Sequence, residues 1–182
     1  MDIEKKEKLG EKSFTIIEIF VVIFIVGILA QLVITGMRIV MEKAYYGRAT
    51  QELSELARAL RLYAEDHGGV FPDDLERELP TAELESYLNS NSNWPKAPWS
   101  GSVYDWDNWS NPTFPPQEQI YQISVRFCPI SPVGSTEFCN FPKLPWAEGF
   151  DYWSSMYFCI SGPCRSHADK PLNHPGYCVN CQ

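Results

Sequence analysis

Hydrophobic and polar positions change period along the chain, and the first change is the most informative. From Phe14 to Ala30 the only strongly polar side chains are Thr15 and Glu18. With Gln31 and Thr35 tolerated, the apolar run continues to Val40. As a helix it is long enough to cross a bilayer core of about 30 Å. The pattern then narrows to one stripe. Tyr45, Ala49, Leu53, Leu56, Ala57, Leu60, Tyr63 and Ala64 recur at three- and four-residue steps, and Glu52, Glu55, Arg58, Arg61 and Glu65 fill the other face. No Pro or Gly pair interrupts before His67-Gly68-Gly69. The pattern predicts one helix from about Phe14 to Ala64, roughly 76 Å long at about 1.5 Å per residue. Gly68 and Gly69, with Pro72 just beyond, supply its stop.

Periodicity is weaker downstream. Asp73 with Glu76 three residues on reads as a helix start. Short helices are expected near 74–79 and, begun by Thr81, near 82–88. Residues 89–118 are rich in Asn, Ser, Pro and Trp and read as a long loop, with a short strand near Val103-Tyr104. Ile120 to Phe127 alternates as a strand does: Ile120, Gln122, Ser124 and Arg126 against Tyr121, Ile123, Val125 and Phe127. Residues 152–160 are a second strand candidate. The tail from Gly162 reads as irregular, and no internal repeat is evident.

Charge and cysteine content narrow the classes. The 182-residue chain carries a formal charge of −8. Residues 1–13 hold four acids and four lysines, which cancel, so the remainder also carries −8. An acidic domain argues against nucleic-acid backbone binding, which needs clustered Lys and Arg. Without the membrane segment roughly 140 residues remain, enough for one modest soluble domain. All six cysteines (Cys128, Cys139, Cys159, Cys164, Cys178, Cys181) fall in the last third. An even number clustered after a membrane segment points to disulfides in an oxidising compartment. Six cysteines allow fifteen pairings, and the sequence does not choose among them. The favoured arrangement staples Cys128 or Cys139 to the 159–164 strand, with Cys178 and Cys181 tying the tail back.

Glu18 is the puzzle. A carboxylate inside a membrane helix costs on the order of a few kcal/mol, which makes it a functional residue by default. No Lys or Arg lies in the run before Arg38 to pair with it. Nor does a small-residue signal-peptide cleavage site follow the apolar core, so the segment reads as retained. The lysines before it and Arg38, Lys43 and Arg48 after it give a slight vote for a cytoplasmic N-terminus.

Ser13-Phe14-Thr15-Ile16-Ile17-Glu18 resembles the processing motif of type IV pilins and of the pseudopilins of type II secretion. Those precursors carry a short charged leader, a small residue (usually Gly), then Phe-Thr-Leu-Ile-Glu and an apolar helix. The resemblance implies that a prepilin peptidase cuts between Ser13 and Phe14, and that the new Phe14 amine is N-methylated. It implies that Glu18 pairs with that amine on a neighbouring subunit. Gly27 stands where pilin helices often carry a glycine, and Thr35 where many carry a proline, which suggests a straighter helix here. Leu60 to Pro72 is similar to the end of the family's spine helix, and Ala97-Pro98-Trp99-Ser100-Gly101-Ser102-Val103-Tyr104 to its Asp-Pro-Trp-Gly-x-x-Tyr loop. The resemblance ends there.

The resemblance implies an α+β, pilin-like fold: a long N-terminal helix packed on a small antiparallel sheet, with a loop-rich, disulfide-bonded C-terminal region. It divides the chain into a cleaved leader (1–13), a transmembrane or filament-core helix (14–40), an amphipathic half of the spine helix (41–67) and a globular head (68–182). The implied role is structural: a subunit of a type IV pilus or type II secretion pseudopilus, with no enzymatic activity and no cofactor. The implied partners are the prepilin peptidase, other pilin or pseudopilin subunits, the inner-membrane assembly platform and the membrane itself. The implied location is the inner (cytoplasmic) membrane, single-pass with the head outside the cytoplasm, and then an extracytoplasmic filament.

Other chemistries weigh less. Cys164-x2-His167 and Cys178-x2-Cys181 have knuckle-like spacing for zinc, but free thiolates last poorly outside the cytoplasm. As a redox pair Cys178 and Cys181 open no helix that would lower a thiol pKa. Asp105, Asp107 and Asn108 lack the spacing of a calcium loop and read as solvated. Trp94, Trp99, Trp106 and Trp109 either pack a loop against the helix or form the binding patch of a membrane-anchored extracytoplasmic binding protein, the alternative function. His67, His167 and His174 are the only histidines, and no Ser or Cys sits in a nucleophile-elbow setting.

Overall fold

The computed structural model describes residues 14–75, 77, 82–88, 94–110, 115–128, 132–167 and 174–181. The expected leader, Ser13 and Thr81 lie outside the described residues. Two compact units are evident, Met1–Val40 and Met41–Gln182.

A single helix, α1, runs from Ile16 to Asp66, as the periodicity predicts. In the first unit every described side chain is exposed to Val40. Its length and composition suffice to cross a membrane, a property that anchors and signal sequences share. In the second unit the apolar stripe is covered. Ala49, Leu53, Leu56, Ala57 and Leu60 are buried. The helix stops where the glycines stand: Gly68 and Gly69 take φ of 67° and 90°, and Gly69 N–H donates to the Ala64 carbonyl at 2.7 Å. That left-handed close satisfies a terminal carbonyl that water would otherwise have to cap.

The head is built on a four-stranded sheet in the order β1 (Val103–Trp109), β2 (Ile120–Arg126), β3 (Ser155–Ser161), β4 (Gly176–Cys178). β1–β2 and β2–β3 pair antiparallel. β3–β4 pair parallel, so the sheet is mixed rather than antiparallel. One face (Tyr104 and Trp106 of β1; Ile123 and Val125 of β2; Met156 of β3) joins the α1 stripe and Trp99, Phe127 and Leu84 in one core.

Several expectations are corrected. The short strand near Val103-Tyr104 runs to Trp109, because its alternation continues through residues that composition alone assigns to a loop. The tail beyond Gly162 is not wholly irregular: β4 docks on β3, and Val179 N–H donates to the Tyr157 carbonyl at 2.8 Å. Asp74, Leu75 and Arg77 are not helical, and Glu76 and residues 78–80 lie outside the described residues. The 82–88 helix is a 3₁₀ turn over Ala82–Tyr87.

Candidate functional site

In the first unit, Phe14 is the first described residue and is 81% exposed. Thr15 and Glu18 close a reciprocal cap. The Glu18 carboxylate accepts from the Thr15 amide at 2.8 Å and from the Thr15 hydroxyl at 2.7 Å. The Glu18 amide points back to the Thr15 hydroxyl at 3.4 Å. This is the capping-box arrangement, in which a Thr at the helix start and a Glu three residues on satisfy each other's end of the helix. The Thr-x-x-Glu spacing already carried that signal, so the intact chain does offer Glu18 a partner. The carboxylate is hydrogen-bonded there and meets no cation among the described residues. One turn further on, Phe20, Ile23, Phe24, Gly27, Ile28 and Gln31 line a shallow groove on α1. The missing side chain of Gly27 forms its floor, and a Cβ added there meets nothing within 4 Å.

The six cysteines of the head form three local bridges: Cys128–Cys139, Cys159–Cys164 and Cys178–Cys181. The expected staple from Cys128 or Cys139 to the 159–164 strand does not form. Cys128 pairs instead with the cysteine 11 residues on, and the strand cysteine turns back to Cys164 at a separation of 5. Cys178 and Cys181 do not tie the tail back through sulfur. The Asn180 side chain does so: it accepts from the Cys159 amide and donates to the Cys159 carbonyl, both at 2.8 Å. With all six sulfurs oxidised, the cysteines of the two zinc-like spacings are not available as thiolates.

The tryptophans are divided by burial. Trp99 and Trp106 are core residues, each 2% exposed. Their indole N–H groups donate to Glu42 at 3.0 Å and to the Pro72 carbonyl at 3.1 Å. Trp94 and Trp109 are half-buried. Trp94, Lys96, Trp99 and Tyr104 border a cleft of about 450 Å³.

The largest departure from expectation is at Asp105 and Asp107, which are buried rather than solvated. They alternate with Tyr104 and Trp106, so they face the side of the sheet opposite α1. There they meet Arg126 of β2. Arg126 Nε donates to Asp105 at 2.8 Å and Nη2 to Asp107 at 3.0 Å. Nη1 donates to the carbonyls of Trp153 and Ser166. Gln122 and Ser124 each donate to the second Asp107 oxygen at 3.0 Å. Gln122 also brackets Arg165, donating to its carbonyl at 2.7 Å and accepting from its amide at 3.0 Å. The alternation of β2 is therefore real, but its polar side is roofed by residues 162–167 and buried. Burial pushes Asp107 up to about 6, against the opposing pull of Arg126.

His174 Nδ1 lies 2.9 Å from Asp151. Partial burial raises the Asp151 carboxyl, but the bonds from His174, Ser154 and the Trp153 amide together hold it below its usual range. The Ser154 hydroxyl donates to Asp151 at 3.0 Å. It lies on the carboxylate rather than on the imidazole, so these three do not form a nucleophile–base pair. His67 stacks on Tyr63 at the close of α1, with ring centroids 3.8 Å apart.

Comparison with protein-family models, characterised proteins and solved structures finds no match to this chain.

Proposed function

We propose that the chain is a pilin-like structural subunit, of a type IV pilus or a type II secretion pseudopilus, that polymerises through its N-terminal helix. The observation that carries this reading is the placement of Phe14-Thr15-x-x-Glu18 at the start of one uninterrupted helix. That helix is apolar on all sides to Val40 and single-striped where it enters a disulfide-bonded α+β head. A plain signal anchor requires neither the acid at that register nor the continuous spine.

The physics of assembly follows. Before assembly the apolar half lies in the cytoplasmic membrane, with the head outside the cytoplasm. Prepilin peptidase cuts before Phe14 and leaves a new amine, which is then methylated. In the isolated chain Glu18 is held by neutral donors of Thr15. A neighbour's Phe14 amine offers a full positive charge, and attraction at about 4 Å is far stronger in a low-dielectric bundle than in water. Desolvation offsets much of that gain. The pairing therefore selects register more than it adds stability, because only one axial step brings amine and acid together. Helix burial in a filament exchanges lipid for protein contacts, so side-chain fit at features such as the Gly27 groove carries the rest.

The alternative, an anchored binding protein with a Trp-rich patch, is weaker because Trp99 and Trp106 belong to the core. Glu18→Ala separates the two. The variant is expected to insert normally and to be missing from filaments sheared off cells that express it alone. Incorporation at the wild-type level would overturn the pilin reading.

A further inference from the structure

The roofed side of the sheet carries more negative charge than its arginine balances. Asp105 and Asp107 share the single guanidinium of Arg126, and all three side chains are less than a tenth exposed. Two of the Arg126 nitrogens serve the carboxylates, while the third is used on the Trp153 and Ser166 carbonyls. The layer thus holds a net charge of −1 when fully ionised. Other charged groups of both signs lie near it. Arg77 lies over the rings of Tyr152 and Trp153, at 4.9 and 5.6 Å, and donates to the Cys128 carbonyl. Its charge is felt by both aspartates. Asp74 on the same segment reaches them with the opposite sign, and desolvation together with Asp107 and Asp105 pushes its own carboxyl up to about 7, so it titrates over the same range. Tyr157 of β3 is neutral at these pH values, its phenol raised by burial. In the roof, the Arg165 guanidinium donates to the His167 carbonyl, and the His167 ring packs at a tilt on Trp153.

We propose that this layer is a proton-linked device: it takes up one proton in mildly acidic medium, and the head is more stable in that state. A second buried carboxylate beside one arginine is costly to ionise, and protonation removes the excess charge without breaking the Arg126 contacts to the other. The Asp105 charge pushes the Asp107 carboxyl in the same direction as burial does. The direction follows from linkage. Folded Asp107 binds a proton at a pH where an unfolded aspartate has lost it, so stability gained in acid fades as pH rises through the folded value. The proposal is independent of whether the chain polymerises.

The test uses the full chain in non-ionic detergent, with thermal unfolding followed between about pH 5 and pH 7.5. Wild type is expected to melt about 4 °C higher at the acid end. Acid also relieves the self-repulsion of a chain with charge −8, so the decisive reading is the change in slope. Asp105→Asn and Asp107→Asn should each flatten it, whereas Glu85→Gln, at an exposed site, should not. Infrared difference spectra of Asp74→Asn, which removes the neighbouring acid that titrates in this window, supply a second reading: a protonated carboxyl band should still grow over the same range. A slope unchanged in the aspartate variants, or no such band, overturns the proposal.

Discussion

Removing the Arg126 guanidinium should be the most damaging polar substitution in the head. Arg126→Met keeps an unbranched stem of similar length but deletes both ion pairs, at 2.8 and 3.0 Å, and the bonds to two carbonyls. It leaves two carboxylates beneath the roof without a cation. Breaking a buried ion pair on one side costs roughly 3–5 kcal/mol, because the remaining charge stays desolvated. Part of that is relieved here when the aspartates take up protons, so the expected loss is about 4 kcal/mol against a total stability of about 5–15 kcal/mol. For a domain of this size that lowers Tm by roughly 8–16 °C. Tryptophan fluorescence is a suitable probe, since Trp99 and Trp106 report the core directly. Adding Asp105→Asn and Asp107→Asn to Arg126→Met removes the stranded charges and should recover at least half of the loss. A drop under about 1 kcal/mol for the single variant, the range of an exposed ion pair, would refute the buried-charge reasoning.

Other outcomes follow from single contacts. Gly162→Ala should prevent or severely weaken folding of the head, because φ is +86° and the added Cβ would stand 1.9 Å from the Gln119 carbonyl oxygen; circular dichroism of the purified variant checks this. Leu53→Ala empties a fully buried site on the α1 stripe and should cost about 2–5 kcal/mol in urea unfolding. Non-reduced peptide mapping should recover the three local disulfides only, and a peptide linking Cys128 or Cys139 to Cys159 or Cys164 would contradict the structure.

What the sequence disclosed and what it hid divide along a physical line. The α1 helix, its switch from all-round apolar to single stripe, and its glycine stop are local patterns, readable within a few turns. β2 is equally legible from its alternation. The other three strands depend on context. β1 alternates as cleanly as β2, but its Asp, Asn and Trp residues sit in a Pro- and Ser-rich neighbourhood, and composition masked the period. Its two aspartates look solvated until their partner on the next strand is known, and pairing between strands is not written locally. β4 is three residues long and exists only because β3 offers an edge. The cysteine bridges failed for a related reason: the long-range job assigned to them is done by Asn180 and by sheet pairing, which leaves the sulfurs to close short loops. The Thr15–Glu18 cap is the exception, since its spacing was visible and only its role in holding Glu18 was overlooked.

The proposal of a pilin-like subunit rests finally on Phe14, because cleavage before it would create a cationic amine to pair with Glu18. Intact and N-terminal-peptide mass spectrometry of the protein taken from its own cells addresses this directly. A mature chain beginning at Phe14, with a methyl group on its amine and residues 1–13 gone, is the expected result. A chain that keeps residues 1–13, with Phe14 internal and unmethylated, would contradict it.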